Sequence, residues 1–355
     1  MKKYLSKICK MLSLLVFISA VWLTSCAPRE ATPEGTALPA RRQFFSLDTL
    51  VTITLYQADP SCDIEMALFG AEALCKDYEK LFSRTVSGSD IWNLNHAGGA
   101  PVEVSEETLF LIKNSIALSE KTGGKFDITI APVIDLWDNA EALPEETTLK
   151  SALSSVSYKN IEFDEEHHTV ALKNSASEID LGAVAKGYIA DRLKQYLKEQ
   201  GVTSALLDLG GNVLALGSKE ENSPFHIAVK MPFTDTQSFY ADQTLSKDSI
   251  AATLAIKDRS VVTSGIYERY REIDGRLYHH ILDPQTGYPV DNSLASVTII
   301  SGDSLSGDLL STSCLLVGKE AAEALIEALP DTEAIFIDKD GTISATSGIS
   351  TYLIQ

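Results

Sequence analysis

The chain has 355 residues, 45% of them hydrophobic, and a formal net charge of −19. Without its N-terminal segments the length suits one large domain or two intimately joined ones, and the acidic balance argues against a nucleic-acid partner. No CxxC pair is present, and Cys62, Cys75 and Cys314 form an odd set in the body, which argues against a zinc site or a disulfide framework.

In chain order, Lys2, Lys3, Lys7 and Lys10 precede an apolar run over residues 11–23. That run falls short of the ~20 residues that span a bilayer and suits the core of a signal peptide. It ends in LTSC, residues 23–26, which resembles a bacterial lipobox. The reading is a signal peptide over 1–25 and a lipid-bearing Cys26, acylated with palmitate. Residues 26–43, rich in Pro, Ala and charge, read as a flexible tether. The folded body then covers 44–355, held at the extracytoplasmic face of the cell membrane.

Residues 49–56 alternate and are β-branched, which predicts a strand. Ile64, Leu68, Ala71, Leu74, Tyr78 and Leu81 predict a helix. Residues 87–99, SGSDIWNLNHAGG, read as a polar loop. Ser105 with Glu106 and Glu107 predicts a capped helix running to Gly123 and Gly124. Residues 125–138 read as a short strand and a loop, and 140–175 as a small helix and a hairpin. A long helix is predicted from Asp180 to Gly201. Residues 204–217 read as strand, Gly-Gly turn, strand, and two hairpin-like pairs follow, turning at Lys257-Asp258 and Asp274-Gly275. A strand over 295–301, helices over 304–318 and 319–329, and a hairpin over 333–347 complete the body. Antiparallel pairs with helices between them predict α+β architecture: mixed, mostly antiparallel sheets with packed helices.

Several stretches carry candidate chemistry. Asp308 and Thr312 are one helical turn apart, and a carboxylate with a hydroxyl is hard-oxygen equipment for Mg²⁺. A solvated face is the plainer origin of such a pair, but Leu309, Leu310, Leu315, Leu316 and Val317 make this helix apolar, so Asp308 needs a partner. Gly182, Ala183 and Lys186 open a helix, where backbone N–H groups and a cation suit a phosphate. A small-residue packing contact is the equal alternative. In YHHILDPQTGYPV, residues 278–290, adjacent His279 and His280 point to opposite faces, so one at most faces a site as a general base. A structural role is the alternative for a lone strand-end histidine. Trp92 and Trp137 either stack on a planar ring or fill the core. No GxSxG or Walker loop is present.

Seven motifs in order, SDIWNLNHAGG, TGGKFDITIAPVIDLW, IDLGAVAKGYIADRL, LLDLGGNVLALG, VVTSGIYERY, YHHILDPQTGYPV and GDLLSTSCLLVG, resemble the bacterial FAD:protein FMN transferase family of ApbE-like lipoproteins. The resemblance implies an ApbE, T-fold-like architecture and a reaction. FAD is cleaved with Mg²⁺, FMN passes through a phosphoester bond to a threonine of a membrane-associated redox protein, and AMP leaves. The implied acceptor is an electron-transport protein, an Rnf/Nqr-like subunit or an FMN-binding domain. His280 becomes the base, with Asp283-Pro284 locking its loop. Asp308, Thr312 and the backbone carbonyl of Ala183 become metal ligands. Asp180, Lys186, Trp92, Lys125, Phe126, Asp127 and Leu282 become FAD contacts, and Leu47 stands where the family often has the Met of MGT. Two other outcomes stay open: an FAD pyrophosphatase with water as acceptor, and a flavin-binding lipoprotein without catalysis.

Overall fold

The computed structural model describes residues 37–138, 142–220, 223–232 and 249–354. The signal peptide, Cys26 and most of the tether lie outside the described residues. In chain order the elements are β1 (Ala40–Ser46), β2 (Thr49–Ala58), α1 (Ile64–Phe82), α2 (Asp90–His96), β3 (Val102–Glu103), α3 (Glu106–Lys121), α4 (Ala131–Asp138) and α5 (Glu146–Leu153). Then come β4 (Ile161–Asp164), β5 (Thr169–Leu172), α6 (Ala185–Glu199), β6 (Val202–Leu209), β7 (Asn212–Leu216), β8 (Phe225–Lys230) and β9 (Ile250–Ile256). The remainder is β10 (Ser260–Gly265), β11 (Tyr270–Ile273), β12 (Arg276–His279), β13 (Leu294–Ser301), α7 (Ser304–Val317), α8 (Lys319–Glu327), β14 (Glu333–Asp338) and β15 (Ile343–Ala345).

An eight-stranded antiparallel sheet in the order β1-β2-β6-β7-β10-β13-β14-β15 organises the body. Alternation decides what each face buries. Val51, Ile53 and Leu55 of β2, Leu207 and Leu209 of β6, and Val297 and Ile299 of β13 share one core with Ala71 of α1, Leu193 of α6, Leu315 of α7 and Ile326 of α8. On the other face Ala215, Val261, Ile300 and Ile335 pack with Phe225 and Val229 of β8 and Leu254 and Ile256 of β9. β13 is buried at every residue because both its faces are covered. Its polar residues, Ser296, Thr298 and Ser301, are buried along with the apolar ones. Among the described residues no helix is long and apolar enough to cross a membrane.

The mixed α+β class expected from the sequence is the class observed. Several elements differ. β1 begins at Ala40, inside the segment read as tether. Residues 90–96 are helical, not loop: the Ser89 hydroxyl accepts the Trp92 N–H, and Ile91 and Leu94 bury one short face. Residues 131–138 are helix α4, with Pro132 in the first turn, where its missing N–H has no partner to lose. The long helix starts at Ala185, after a turn at 182–184. Lys257-Asp258 does not close a hairpin. β9 pairs with β8 while β10 pairs with β7 and β13, so the chain crosses there from one sheet to another. The Asp274-Gly275 turn between β11 and β12 stands, with φ of 51° and 75°.

Helices α6 and α7 meet at Gly187. A Cβ there would lie 2.3 Å from the carbonyl oxygen of Ser304 and 2.8 Å from the Cα of Leu305, both rigid backbone. Gly187→Ala is therefore expected to destabilise the fold by about 1–3 kcal/mol, as overpacking does. A denaturant midpoint equal to wild type would show that the two helices separate without penalty.

Candidate active site

Loops far apart in sequence are tied together by their own polar groups. From α2, the Asn95 side chain donates to the Ile179 carbonyl at 2.9 Å and accepts the Ile179 N–H at 2.7 Å. Next to it, Asp180 donates its N–H to Ile128 O at 2.8 Å, joining the KFDI segment. Lys125 of that segment forms an ion pair with Asp283 at 2.8 Å. Asp283 also accepts the Gln285 N–H, and its carbonyl takes the Thr286 and Gly287 N–H groups, which closes the DPQTG turn. The Asp180 carboxylate accepts the Gly182 N–H at 2.6 Å and pairs with the Arg84 guanidinium at 2.8 Å, while Arg84 also pairs with Asp135 at 2.7 Å. Trp92, Asp180, Lys125 and the His280 loop thus share one rim.

Asp308 sits behind this rim, 4% exposed. One carboxylate oxygen accepts the Gly187 N–H and the other the Asn212 amide, at 2.9 Å. Asn212 is in turn held by Ser304, which accepts from Ser260. Both donors to Asp308 are neutral. Burial pushes its carboxyl above the usual carboxylate range, and Lys186 opposes that. The Lys186 ammonium itself donates to Gly182 O at 3.0 Å. One turn on from Asp308, the Thr312 hydroxyl lies 3.1 Å from that of Ser264, from the VVTSG stretch. Among the described residues no group of three or more His, Cys, Asp or Glu is gathered. The donor set is one carboxylate, with hydroxyl and carbonyl oxygens. Each Asp308 oxygen keeps a lone-pair site beyond its protein donor, and among the described residues no ammonium or guanidinium is bonded to it. Such a set fits Mg²⁺, which takes few protein ligands and keeps the rest for water or phosphate.

The two histidines divide as opposite-facing neighbours should. His279 is buried, with Nε2 3.1 Å from the Val290 carbonyl and Nδ1 accepting the Ile281 N–H at 3.3 Å. A carbonyl only accepts, so Nε2 carries the single proton and the ring is structural. Burial pushes its pKa down to about 4. His280 is exposed, and its Nδ1 lies 3.0 Å from the Arg269 carbonyl, which also accepts the His280 N–H. Nδ1 must then carry the proton, and Nε2 presents a lone pair to solvent. Protein crowding first, then the cations Arg269 and Lys186, lower its pKa towards about 4. The ring's solvent-exposed edge works against that crowding.

The other expected residues separate by role. Trp92 is half-buried and stacks on His96, ring centroids 4.0 Å apart, whereas Trp137 is core. Asp127 is spent on its own chain: its oxygens accept from the Thr129 N–H and hydroxyl and from the Tyr158 N–H. It still lines a shallow cavity of about 310 Å³ with Gly123, Gly124, Tyr158, Lys159 and Pro284. Trp92, Lys186, His280 and Asp308 do not line that cavity. The side chains of Phe126 and Leu282 pack in hydrophobic clusters, so it is their backbone that a ligand would meet. Ala183 stands in the turn before α6, half-buried, and Leu47 stands at the β1–β2 tip with φ of 55°. Sequence reasoning missed Arg84, Asn95 and Arg269. Arg269 acts through its carbonyl, which leaves no signal in residue type.

Fold and rim together give an α+β body in which the charge of Lys186 acts on both a buried carboxylate, Asp308, and an open ring, His280. The chain belongs to the ApbE family, whose model matches residues 47–336. It is 39% identical over 278 residues to an FAD:protein FMN transferase of Klebsiella pneumoniae, covering 77% of this chain and 83% of that one. A Treponema pallidum protein of the same name is 33% identical over 85% of each chain. The crystal structure of the ApbE protein of Thermotoga maritima superposes with a TM-score of 0.78 at 29% identity, covering 89% of this chain and 99% of that one.

The His279 ring makes a pH prediction. Unfolded, the imidazole takes up its proton near pH 6.5; folded, it does so only near 4. Below 6.5 the unfolded chain binds more protons, so stability falls as pH falls, by about 3 kcal/mol at most from this group. His279→Gln, whose amide can keep both hydrogen bonds, is expected to flatten that part of the stability–pH curve. Identical curves would remove the buried neutral ring as its source.

Proposed function

We propose that this chain transfers FMN from FAD to a threonine of a membrane-associated redox protein, with Mg²⁺, releasing AMP. The names of its relatives support the FAD donor and the protein acceptor. The observation that carries the reading is His280: its Nδ1–H is fixed on Arg269 O, and Nε2 is open on the rim, near Lys186. The lipobox at 23–26 supports a chain anchored through Cys26 on the extracytoplasmic face. There FAD brings its own activated pyrophosphate, so no separate energy source is required.

In this reading the flavin side of FAD lies along Trp92, the Lys125–Asp127 segment and the Leu282 backbone, with Leu47 at the hairpin tip. Asp180 and Lys186 flank the pyrophosphate. Asp308, the Thr312 hydroxyl and the Ala183 carbonyl would hold Mg²⁺, which supplies charge neutralisation on the phosphates. The acceptor threonine attacks the FMN phosphorus, forming an O–P bond. His280 Nε2 takes the hydroxyl proton, and the phosphorus–oxygen bond to AMP breaks with its electron pair on AMP. Asp283, the carboxylate of the same loop, is engaged by Lys125. Incubation with FAD, Mg²⁺ and an acceptor domain should add the mass of FMN to the acceptor. Free FMN and AMP without that gain would mean water is the acceptor, and unchanged FAD would mean binding alone.

General-base help is worth about 10²–10⁴-fold, so His280→Ala should slow transfer by that order while FAD still binds. The wild-type rate should fall as acid protonates Nε2, and this limb should vanish in the variant. A fully active His280→Ala would move the base elsewhere.

Asp308→Ala should abolish transfer at limiting Mg²⁺ and leave the far-UV circular dichroism unchanged. Undiminished transfer under those conditions would remove Asp308 from the metal site.

A further inference from the structure

Ser46 and Thr49 are the last cross-strand pair of the β1–β2 hairpin, so Leu47 and Asp48 alone form its loop. Both have φ of 55°. Two left-handed residues make a type I′ turn, which favours Asn-Gly or Asp-Gly. Asp tolerates that conformation; Leu has no side-chain group to offset it. Such strain persists only where the surroundings over-determine it, and it gathers at ligand sites.

The surroundings are specific. Glu79 of α1 directs both carboxylate oxygens at this turn. Oε1 accepts the Leu47 N–H at 2.8 Å, and Oε2 accepts the hydroxyl of Ser46, 2% exposed, at 2.7 Å. On the far side, the Arg269 guanidinium donates to Asp48 O at 3.3 Å, and Arg269's own carbonyl orients His280. The strained turn is thus fixed between α1 and the loop that sets the base. Leu47 packs partly against the main core. A glycine at 47 would relax the backbone. The leucine therefore has a use that offsets its strain.

We infer that Glu79 is a positioning residue of the flavin site, holding the Leu47–Asp48 turn so that Leu47 bears on bound FAD. The inference rests on the flavin-side place proposed for Leu47. A hydrogen bond to a charged group is worth about tenfold or more in an equilibrium. Glu79→Ala should therefore raise the KM for FAD by about tenfold while kcat stays within about threefold, the mark of lost ground-state binding. Glu79→Gln keeps an acceptor for the Leu47 N–H and should recover most of this. Ser46→Ala removes one bond only and should have a smaller effect in the same direction, which keeps the test open if Glu79→Ala folds poorly. In a Leu47→Gly background, Glu79→Ala should change KM by less than about twofold, because its effect passes through Leu47. An unchanged KM in Glu79→Ala and Ser46→Ala, with only a lowered thermal midpoint, would make the clamp structural and overturn the inference. So would an equal rise in KM with and without the Leu47 side chain. Wild-type protein that fails to bind FAD would instead bring down the functional reading itself, and this inference with it.

Discussion

The carboxylate of Asp308 is the constraint that the rest of the site depends on. It is buried where α6, β7 and α7 meet, and it is satisfied from two of them: by the backbone N–H of Gly187 and by the amide of Asn212. A buried carboxylate with neutral donors only is expensive to keep ionised. The fold tolerates it because the same contacts fix the helix crossing. Gly187 must lack a side chain for α6 to reach Ser304, and that closeness puts its N–H on Asp308. The Asp191 carboxylate accepts the Ser304 and Leu305 N–H groups from the same α6, closing the start of α7. Packing and site chemistry are here the same few atoms.

The neighbouring histidines show how one residue of register separates structure from chemistry. Successive strand side chains face opposite ways, so the end of β12 places one ring inside and one outside. The inner ring uses both nitrogens internally. The outer one uses Nδ1 on a carbonyl, which selects the tautomer with Nε2 free. Neither outcome needs a carboxylate partner; a backbone oxygen is enough to set the proton's place.

Much of this was legible in the sequence, and the failures have physical reasons. The long helices and the tight hairpins were readable because periodicity and glycine turns act locally. Helix α2 was not, because seven residues carry too few buried positions to show a period; its Ser89 cap was the available signal. The crossing between β9 and β10 was missed because a short turn between two strands looks the same whether they pair with each other or with others. Asp308 and Thr312 stood out as polar residues in an apolar helix. Arg84 and Asn95 did not, because their partners lie far away in the chain, Asp180 and Ile179. The side chains of Phe126 and Leu282 serve the core that holds their motifs still, a role that motif membership alone does not display.

The rim's cations show where a pyrophosphate would be received. In a chain of net charge −19, a free anion is repelled unless local positive charge is left uncompensated. Arg84 is matched by Asp180 and Asp135, and Lys125 by Asp283. Arg269 is spent on bracing the hairpin tip. Of these four rim cations, Lys186 and Arg269 both rest on neutral carbonyls, those of Gly182 and Asp48, and Lys186 is the one whose charge reaches both Asp308 and His280 and biases their protonation. The matched pairs hold the loops in place. Lys186 would then be the cation to meet a phosphate near both the carboxylate proposed to hold Mg²⁺ and the ring proposed to take the proton. An anion drawn there would lower the penalty of protonating His280 at the moment the acceptor hydroxyl loses its proton, because it offsets the cation that otherwise disfavours a charged ring.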